Sequence, residues 1–282
     1  MKIFRTKQEL QQELSGIRKE NKVITLVPTM GALHEGHLSL FNYAKPSTDV
    51  TICSIFVNPT QFNDPKDLEK YPRPIENDID LLESVGCDIL FLPSVEEMYP
   101  ENEPQWQIDL GDLDRIWEGE HRPGHFQGVT QIVYKLFDLV KPNQACFGQK
   151  DFQQVMVIQR MLEIKNLDIK LLICPIVRNE KGLALSSRNA RLTEAGKENA
   201  LTLIKSLRYI KDNLDNKSVE ELLEGAKAII ASNPEVELEY LSICETKSLS
   251  PVTKLEEGKG YVGLIAAWVE NVRLIDNILL SH

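Results

Sequence analysis

The 282-residue chain carries 32 basic and 42 acidic residues, a formal net charge of −10, and is 42% hydrophobic and 26% charged. That balance is ordinary for a soluble globular protein with room for one large domain or two moderate ones, and it disfavours a polyanion as the main partner. There is no run near the ~20 apolar residues of a membrane span and no signal-peptide core at the start, so a cytoplasmic location with no membrane partner is expected.

In chain order, Thr6-Lys7-Gln8-Glu9 has the form of a capping box, and Leu10, Leu14 and Ile17 recur behind it at helical spacing. The apolar run 23–27 reads as a buried parallel strand, followed by Pro28-Thr29-Met30-Gly31-Ala32-Leu33-His34-Glu35-Gly36-His37 and a helix start at residues 38–44. A second strand, 50–57, ends at Asn58-Pro59-Thr60-Gln61-Phe62. The proline-rich stretch 63–74 reads as an exposed, mobile loop. A helix over 75–85, a third strand over 88–92 and a short helix from residue 93 come next. Residues 118–128 read as a glycine-rich loop with His121, Arg122 and His125, entering an apolar helix over 129–140.

A fourth strand at 144–147 opens into Gly148-Gln149-Lys150-Asp151 and a helix over 152–164, and 169–174 makes a fifth strand. The alternation predicts an α/β fold, a doubly wound parallel sheet of Rossmann type, over residues 1–176. Beyond it, residues 177–282 predict a smaller α+β domain. Its helices fall at 194–213 and 218–232, and its strands at 236–243, 261–269 and 272–280. Five dispersed cysteines with no Cys-x-x-Cys pair are expected to be buried reduced thiols.

The strand, glycine-containing turn and helix start at 23–44 make a site for anionic groups. Backbone N–H groups and the positive end of the helix dipole point at whatever sits there. His34 and His37, three apart, share one helical face, and Gly36 between them leaves room for a close-lying base or phosphate. Two blander readings compete. A His-x-x-His pair can bind metal, but the third ligand would have to come from His121 or His125, which show no ligand pattern. Either histidine alone could also be an ordinary surface residue.

Four blocks in register carry a resemblance: Thr29-Met30-Gly31-Ala32-Leu33-His34-Glu35-Gly36-His37, Phe56-Val57-Asn58-Pro59-Thr60-Gln61-Phe62, Gly148-Gln149-Lys150-Asp151-Phe152-Gln153-Gln154, and Leu185-Ser186-Ser187-Arg188-Asn189. The first resembles the His-x-Gly-His signature of the nucleotidyltransferase and class I aminoacyl-tRNA synthetase superfamily. Together they resemble the pantothenate synthetase (pantoate–β-alanine ligase) family over essentially the whole length.

The resemblance implies ATP-dependent ligation in two steps: pantoate and ATP give pantoyl adenylate and pyrophosphate, and the amine of β-alanine then displaces AMP. It implies that His34 and His37 donate to the phosphates, with His37 the better candidate for proton donation or transition-state stabilisation. Lys150 would be a phosphate cation; its alternative, a solvated lysine, is disfavoured at a helix start unless an anion is bound. Ser186, Ser187 and Arg188 would close over the triphosphate from a second-domain lid, shutting out water. Ala184 stands where the synthetase lysine-rich loop has its first lysine, which argues against that branch.

The implied ATP site takes in Met30, Gly31, Ala32, Leu33, His34, Glu35, Gly36 and His37, then Gly148, Gln149, Lys150 and Asp151, then Val177, Leu185, Ser186, Ser187 and Arg188. Asp151 suits a ribose hydroxyl or an N-cap, and Val177 and Leu185 an adenine pocket. Gln61, Gln154 and Met30 are implied for pantoate, with Asn58 a weaker third, and Gln61 also for β-alanine. Mg²⁺ is expected with ATP, held by phosphate oxygens and water, with no direct protein ligand. Asp78 and Asn77 could reach it through water, though a solvated helix face competes. Arg122 and His125 could cover the site. The resemblance further implies a homodimer. Two other readings remain: a nucleotidyltransferase forming no amide, and a tRNA-binding relic, which the acidic balance disfavours.

Overall fold

The computed structural model describes residues 1–63, 65–101 and 104–281. Chain order begins β1 (Lys2–Phe4), α1 (Lys7–Lys19), β2 (Ile24–Thr29), α2 (Glu35–Ala44), β3 (Val50–Ile55), α3 (Pro65–Lys70), α4 (Ile75–Ser84), β4 (Ile89–Phe91) and α5 (Val95–Met98). It continues with α6 (Glu118–His121), α7 (His125–Val140), β5 (Gln144–Gly148), α8 (Phe152–Lys165) and β6 (Lys170–Cys174). The last elements are α9 (Glu194–Asp212), α10 (Val219–Ala231), β7 (Glu237–Glu245), β8 (Gly260–Val269) and β9 (Val272–Ser281).

Chain contacts divide the protein into two units. One is Met1–Gly148 with Gln153–Pro175; the other is Gln149–Phe152 with Ile176–His282. The second unit thus includes four residues that lie, in the chain, at the strand-to-helix junction of the first.

The first unit is a parallel sheet in the order β1-β4-β3-β2-β5-β6. Its central strands β2 and β3 are buried because their apolar residues face covered layers on both sides. The chain starts at one edge with β1, enters the centre at β2, steps outward through β3 to β4, which pairs with β1, then jumps to β5 and β6 on the other side of β2. The reversal between β2 and β5 is the topological switch point, where open α/β sheets bind ligands beyond the strand carboxyl ends. The residue-34 turn leaves β2 there. Beneath it, Val27, Leu33, Phe41, Cys53, Leu82 and Leu90 share one core.

The second unit is the antiparallel sheet β7-β8-β9, over which α9 and α10 pack. Leu203, Leu207 and Ile210 of α9 and Leu222 and Ile230 of α10 meet Ile243, Tyr261 and Ile265 in its core. The predicted α/β sheet with a smaller α+β portion is the observed fold.

Local differences have physical reasons. The sheet has six strands, not five, because the three-residue β1 at its edge is too short for any periodicity. Pro65–Lys70 of the predicted loop 63–74 is helical, with Asp64 outside the described residues. The predicted loop 118–128 holds α6 and the start of α7, with Gly119 and Gly128 serving close packing: a Cβ on Gly128 would lie 2.3 Å from the Thr60 carbonyl oxygen. All five cysteines are buried and unbridged. Burial lifts the Cys87 and Cys244 thiols to about 11.

Candidate active site

The turn after β2 is built from left-handed backbone at Gly31 (φ +79°) and Ala32 (φ +51°). In this turn the amides of Ala32 and Leu33 face one point and make a nest for an anion. The anion in it belongs to the protein. Asp78, fully buried on α4, accepts from the Ala32 amide at 2.8 Å and the Leu33 amide at 2.7 Å. A Cβ on Gly31 would come within 2.9 Å of the same carboxylate, so glycine is required by space as well as by φ. Burial pushes the Asp78 carboxyl above its usual value, and the two amides pull it partly back. Asp78 is therefore buried against the turn and does not lie on a solvated helix face. Asn77 beside it is exposed.

Three further amides of the turn find side-chain partners inside it. Gly31 donates to Thr29 Oγ1 at 3.2 Å, His34 to His37 Nδ1 at 3.4 Å, and Gly36 to His34 Nδ1 at 3.1 Å. These backbone donors are therefore used internally. His34 is the N-cap of α2, with His37 completing a capping box. The two rings lie 4.1 Å apart between centroids. Since each Nδ1 accepts an N–H, each neutral ring carries its proton on Nε2. The cap thereby sets two Nε2–H donors in one place, at the positive end of α2.

At the end of β3, the 3₁₀ turn Pro59–Gln61 carries the expected pantoate residue. Gln61 is buried, and its Nε2 lies 2.9 Å from Met30 Sδ, so two residues predicted to share a ligand touch. Asn58 is different: its Oδ1 accepts from Tyr99 and Thr60, and its Nδ2 donates to Gln61 Oε1 and Gly128 O. Its amide hydrogen bonds are made within the protein, one of them to the Gln61 side chain. His125 is also a support. It is buried, with Nδ1 2.8 Å from the Gln61 carbonyl oxygen, so the ring proton sits on Nδ1 and holds the Gln61 backbone. Arg122 is half-buried at the end of α6, and His121 is exposed.

Neighbouring glutamines on α8 divide their work. Gln153 is buried, accepts from the Glu118 amide and donates to Leu113 O and Ile116 O, which anchors the segment before α6. Gln154, the predicted ligand residue, is half-buried. An open cleft of about 370 Å³ lined by Thr60, Tyr99, Trp106, Gln127 and Gln131 holds none of the predicted residues.

In the second unit, the Leu185 amide donates to Val177 O at 2.9 Å beside a bridge between Arg178 and Ala184, which pairs the two predicted adenine residues. Ser186 caps the 3₁₀ turn Ser187–Arg191, its Oγ accepting from the Arg188 amide at 3.3 Å. Asn189 Nδ2 ties that turn back to Ala184 O. Lys150 sits half-buried in the 3₁₀ turn Gln149–Asp151, between half-buried Gln149 and exposed Asp151. Among the described residues no group of three His, Cys, Asp or Glu side chains could hold a metal ion. None of their helices is long and apolar enough to cross a membrane.

The family model of pantoate–β-alanine ligases matches residues 2–279. The chain belongs to the pantoate–β-alanine ligase family. A pantothenate synthetase of Bacteroides fragilis is 47% identical over 278 residues, 99% of this chain and 98% of that protein. One from Phocaeicola vulgatus is 48% identical over 283 residues, covering 99% of each chain. Among solved structures, the pantothenate synthetase of Thermus thermophilus superposes with a TM-score of 0.92 at 39% identity, covering 99% of both chains. The Francisella tularensis pantoate–β-alanine ligase, complexed with β-γ ATP and β-alanine, matches with a TM-score of 0.81 at 37% identity, covering 99% of this chain and 97% of that one. Within the pantoate–β-alanine ligase family, the His34–His37 turn and the Gln61–Met30 contact are the parts of this chain whose geometry speaks most directly to the chemistry.

Proposed function

We propose that this chain joins pantoate to β-alanine at the expense of ATP, through a pantoyl adenylate, with the residues singled out above in the following roles. The carrying observation is the capped histidine pair at the β2/β5 switch point in a chain that belongs to this family from end to end. A pantoate carboxylate oxygen bonds to the α-phosphorus, and the bond from that phosphorus to the bridging oxygen breaks, releasing pyrophosphate. Charge gathers on the phosphate oxygens in that transition state, and preorganised donors there lower the barrier. His34 and His37 supply them through Nε2–H, His37 at the reacting phosphate. Lys150 and Arg188 add cations, Ser186 and Ser187 hydroxyl donors. Residues Met30 to His37, Gly148 to Asp151, Val177 and Leu185 form the rest of the ATP site.

Gln61 and Gln154 hold pantoate through neutral amides, which leave its carboxylate nucleophilic, and Met30 packs on its methyl groups. Gln61 also places β-alanine, whose amine attacks the acyl carbonyl; the carbon–oxygen bond to AMP then breaks and the amine gives up a proton. Mg²⁺ travels with ATP as a partner of phosphate and water. No step is assigned to it. A cytoplasmic homodimer completes the reading, on family resemblance. The test is AMP release with pantoate, β-alanine and ATP each omitted in turn: release must need all three. A nucleotidyltransferase forming no amide would release none on adding β-alanine.

A further inference from the structure

The 3₁₀ turn Gln149–Asp151 is held by one buried side chain of β9. Asn277 Nδ2 donates to Gln149 O at 2.9 Å and to Lys150 O at 3.0 Å, and Gln149 Nε2 donates to Asn277 Oδ1 at 3.1 Å. Asn277 is 2% exposed. Asparagine is disfavoured in strands, and a buried amide is tolerated only where its hydrogen bonds are made. Here both amide hydrogens and the oxygen are spent on the two residues that lead into α8.

The amide is itself fixed. The Asn277 backbone N–H donates to Asp276 Oδ1 at 2.8 Å, and Arg178 grips Asp276 with both terminal nitrogens, at 2.6 and 2.8 Å. Arg178 further donates to Asn277 O and to Gly182 O, in the turn preceding Leu185 and Ser186. Bidentate arginine–carboxylate pairs have fixed geometry, so they transmit position well. One connected network thus runs from the backbone of Lys150 to the base of the Ser186–Arg188 turn, which explains why Gln149–Phe152 groups with the second unit.

We propose that Asn277 is a positioning residue for Lys150: its amide, braced by Arg178 and Asp276, sets the Lys150 backbone and registers that cation with the Ser186–Arg188 turn. This rests on the reading of Lys150 as a phosphate cation. A cation displaced by about 1 Å from a developing charge costs up to about 100-fold in rate.

The test is pantoate-dependent exchange of pyrophosphate into ATP in Asn277→Ala, Asn277→Asp, Lys150→Ala and the double variant Asn277→Ala/Lys150→Ala. Asn277→Ala is expected to lower the maximal exchange rate by about 10- to 100-fold, with the KM for pantoate within about twofold of wild type. Asn277→Asp, which keeps the volume but turns an acceptor toward two carbonyls, should lose at least as much. Because Asn277 acts through Lys150, the double variant should match Lys150→Ala within about twofold. Multiplying losses in the double variant, a wild-type rate in Asn277→Ala, or failure of both single Asn277 variants to fold would each overturn the proposal. Wild-type exchange in Lys150→Ala would instead overturn the reading of Lys150 on which it rests.

Discussion

The Asp78 carboxylate accepts the Leu33 amide at 2.7 Å, which fastens the first turns of α4 to the turn that presents His34 and His37. With Ala32 as its second donor, Asp78 fills from inside the nest that two left-handed residues create. Replacing it by alanine strands two amides and opens a void. Asp78→Ala should lose about 1–3 kcal/mol of stability in denaturant unfolding, and its pantoate-dependent exchange should fall as the turn loosens. Unchanged stability would show that the nest does not need its anion.

The same residue predicts a pH dependence with a definite sign. Burial raises its folded pKa above the ordinary 3.8, so the native state holds the proton more tightly than the unfolded chain. Its contribution to stability is then full below that value and is lost as pH rises through the raised folded pKa. The stability of wild type relative to Asp78→Asn should decline over that interval and level off above it. A relative stability that grows with pH would mean that the Ala32 and Leu33 donors outweigh burial and hold the carboxylate charged.

Capping fixes the tautomers of the histidine pair. Nitrogen-15 spectra of the neutral rings should show His34 and His37 protonated at Nε2, and His125, whose Nδ1 meets the Gln61 carbonyl, protonated at Nδ1. Nδ1 protonation of His37 would aim its lone pair at a phosphate and remove its assigned donor role.

Adjacent glutamines on α8 should separate cleanly. Gln153→Ala leaves the Glu118 amide and two carbonyls without partners, so it should cost about 1–3 kcal/mol of stability with little change in the KM for pantoate. Gln154→Ala should raise that KM by about tenfold or more with stability near wild type. The opposite pattern would exchange their roles.

These residues also mark what sequence could and could not reveal. Long periodic runs reported themselves: β3, α9 and β8 lie where their apolar spacing put them. Local capping was equally plain, as at Thr6, where the predicted box with Glu9 forms. What escaped depends on partners distant in the chain. Asp78 looks like one acid among several on a polar helix until Ala32 and Leu33 arrive from about 45 residues away. His125 and Asn58 resemble ligand residues in sequence, and their contacts with Gln61 and Gly128 could not be read there. Asn277 carried no local signal, since an asparagine in a strand near the end of the chain does not announce contact with Lys150.

The central claim is that His37, set as an Nε2–H donor by the cap of α2, stabilises charge on the reacting phosphate. Pantoate-dependent pyrophosphate exchange by His37→Ala tests it most directly. The rate should fall by orders of magnitude, about 10² or more, while the unfolding transition stays near wild type. An exchange rate equal to wild type in the folded variant would contradict it.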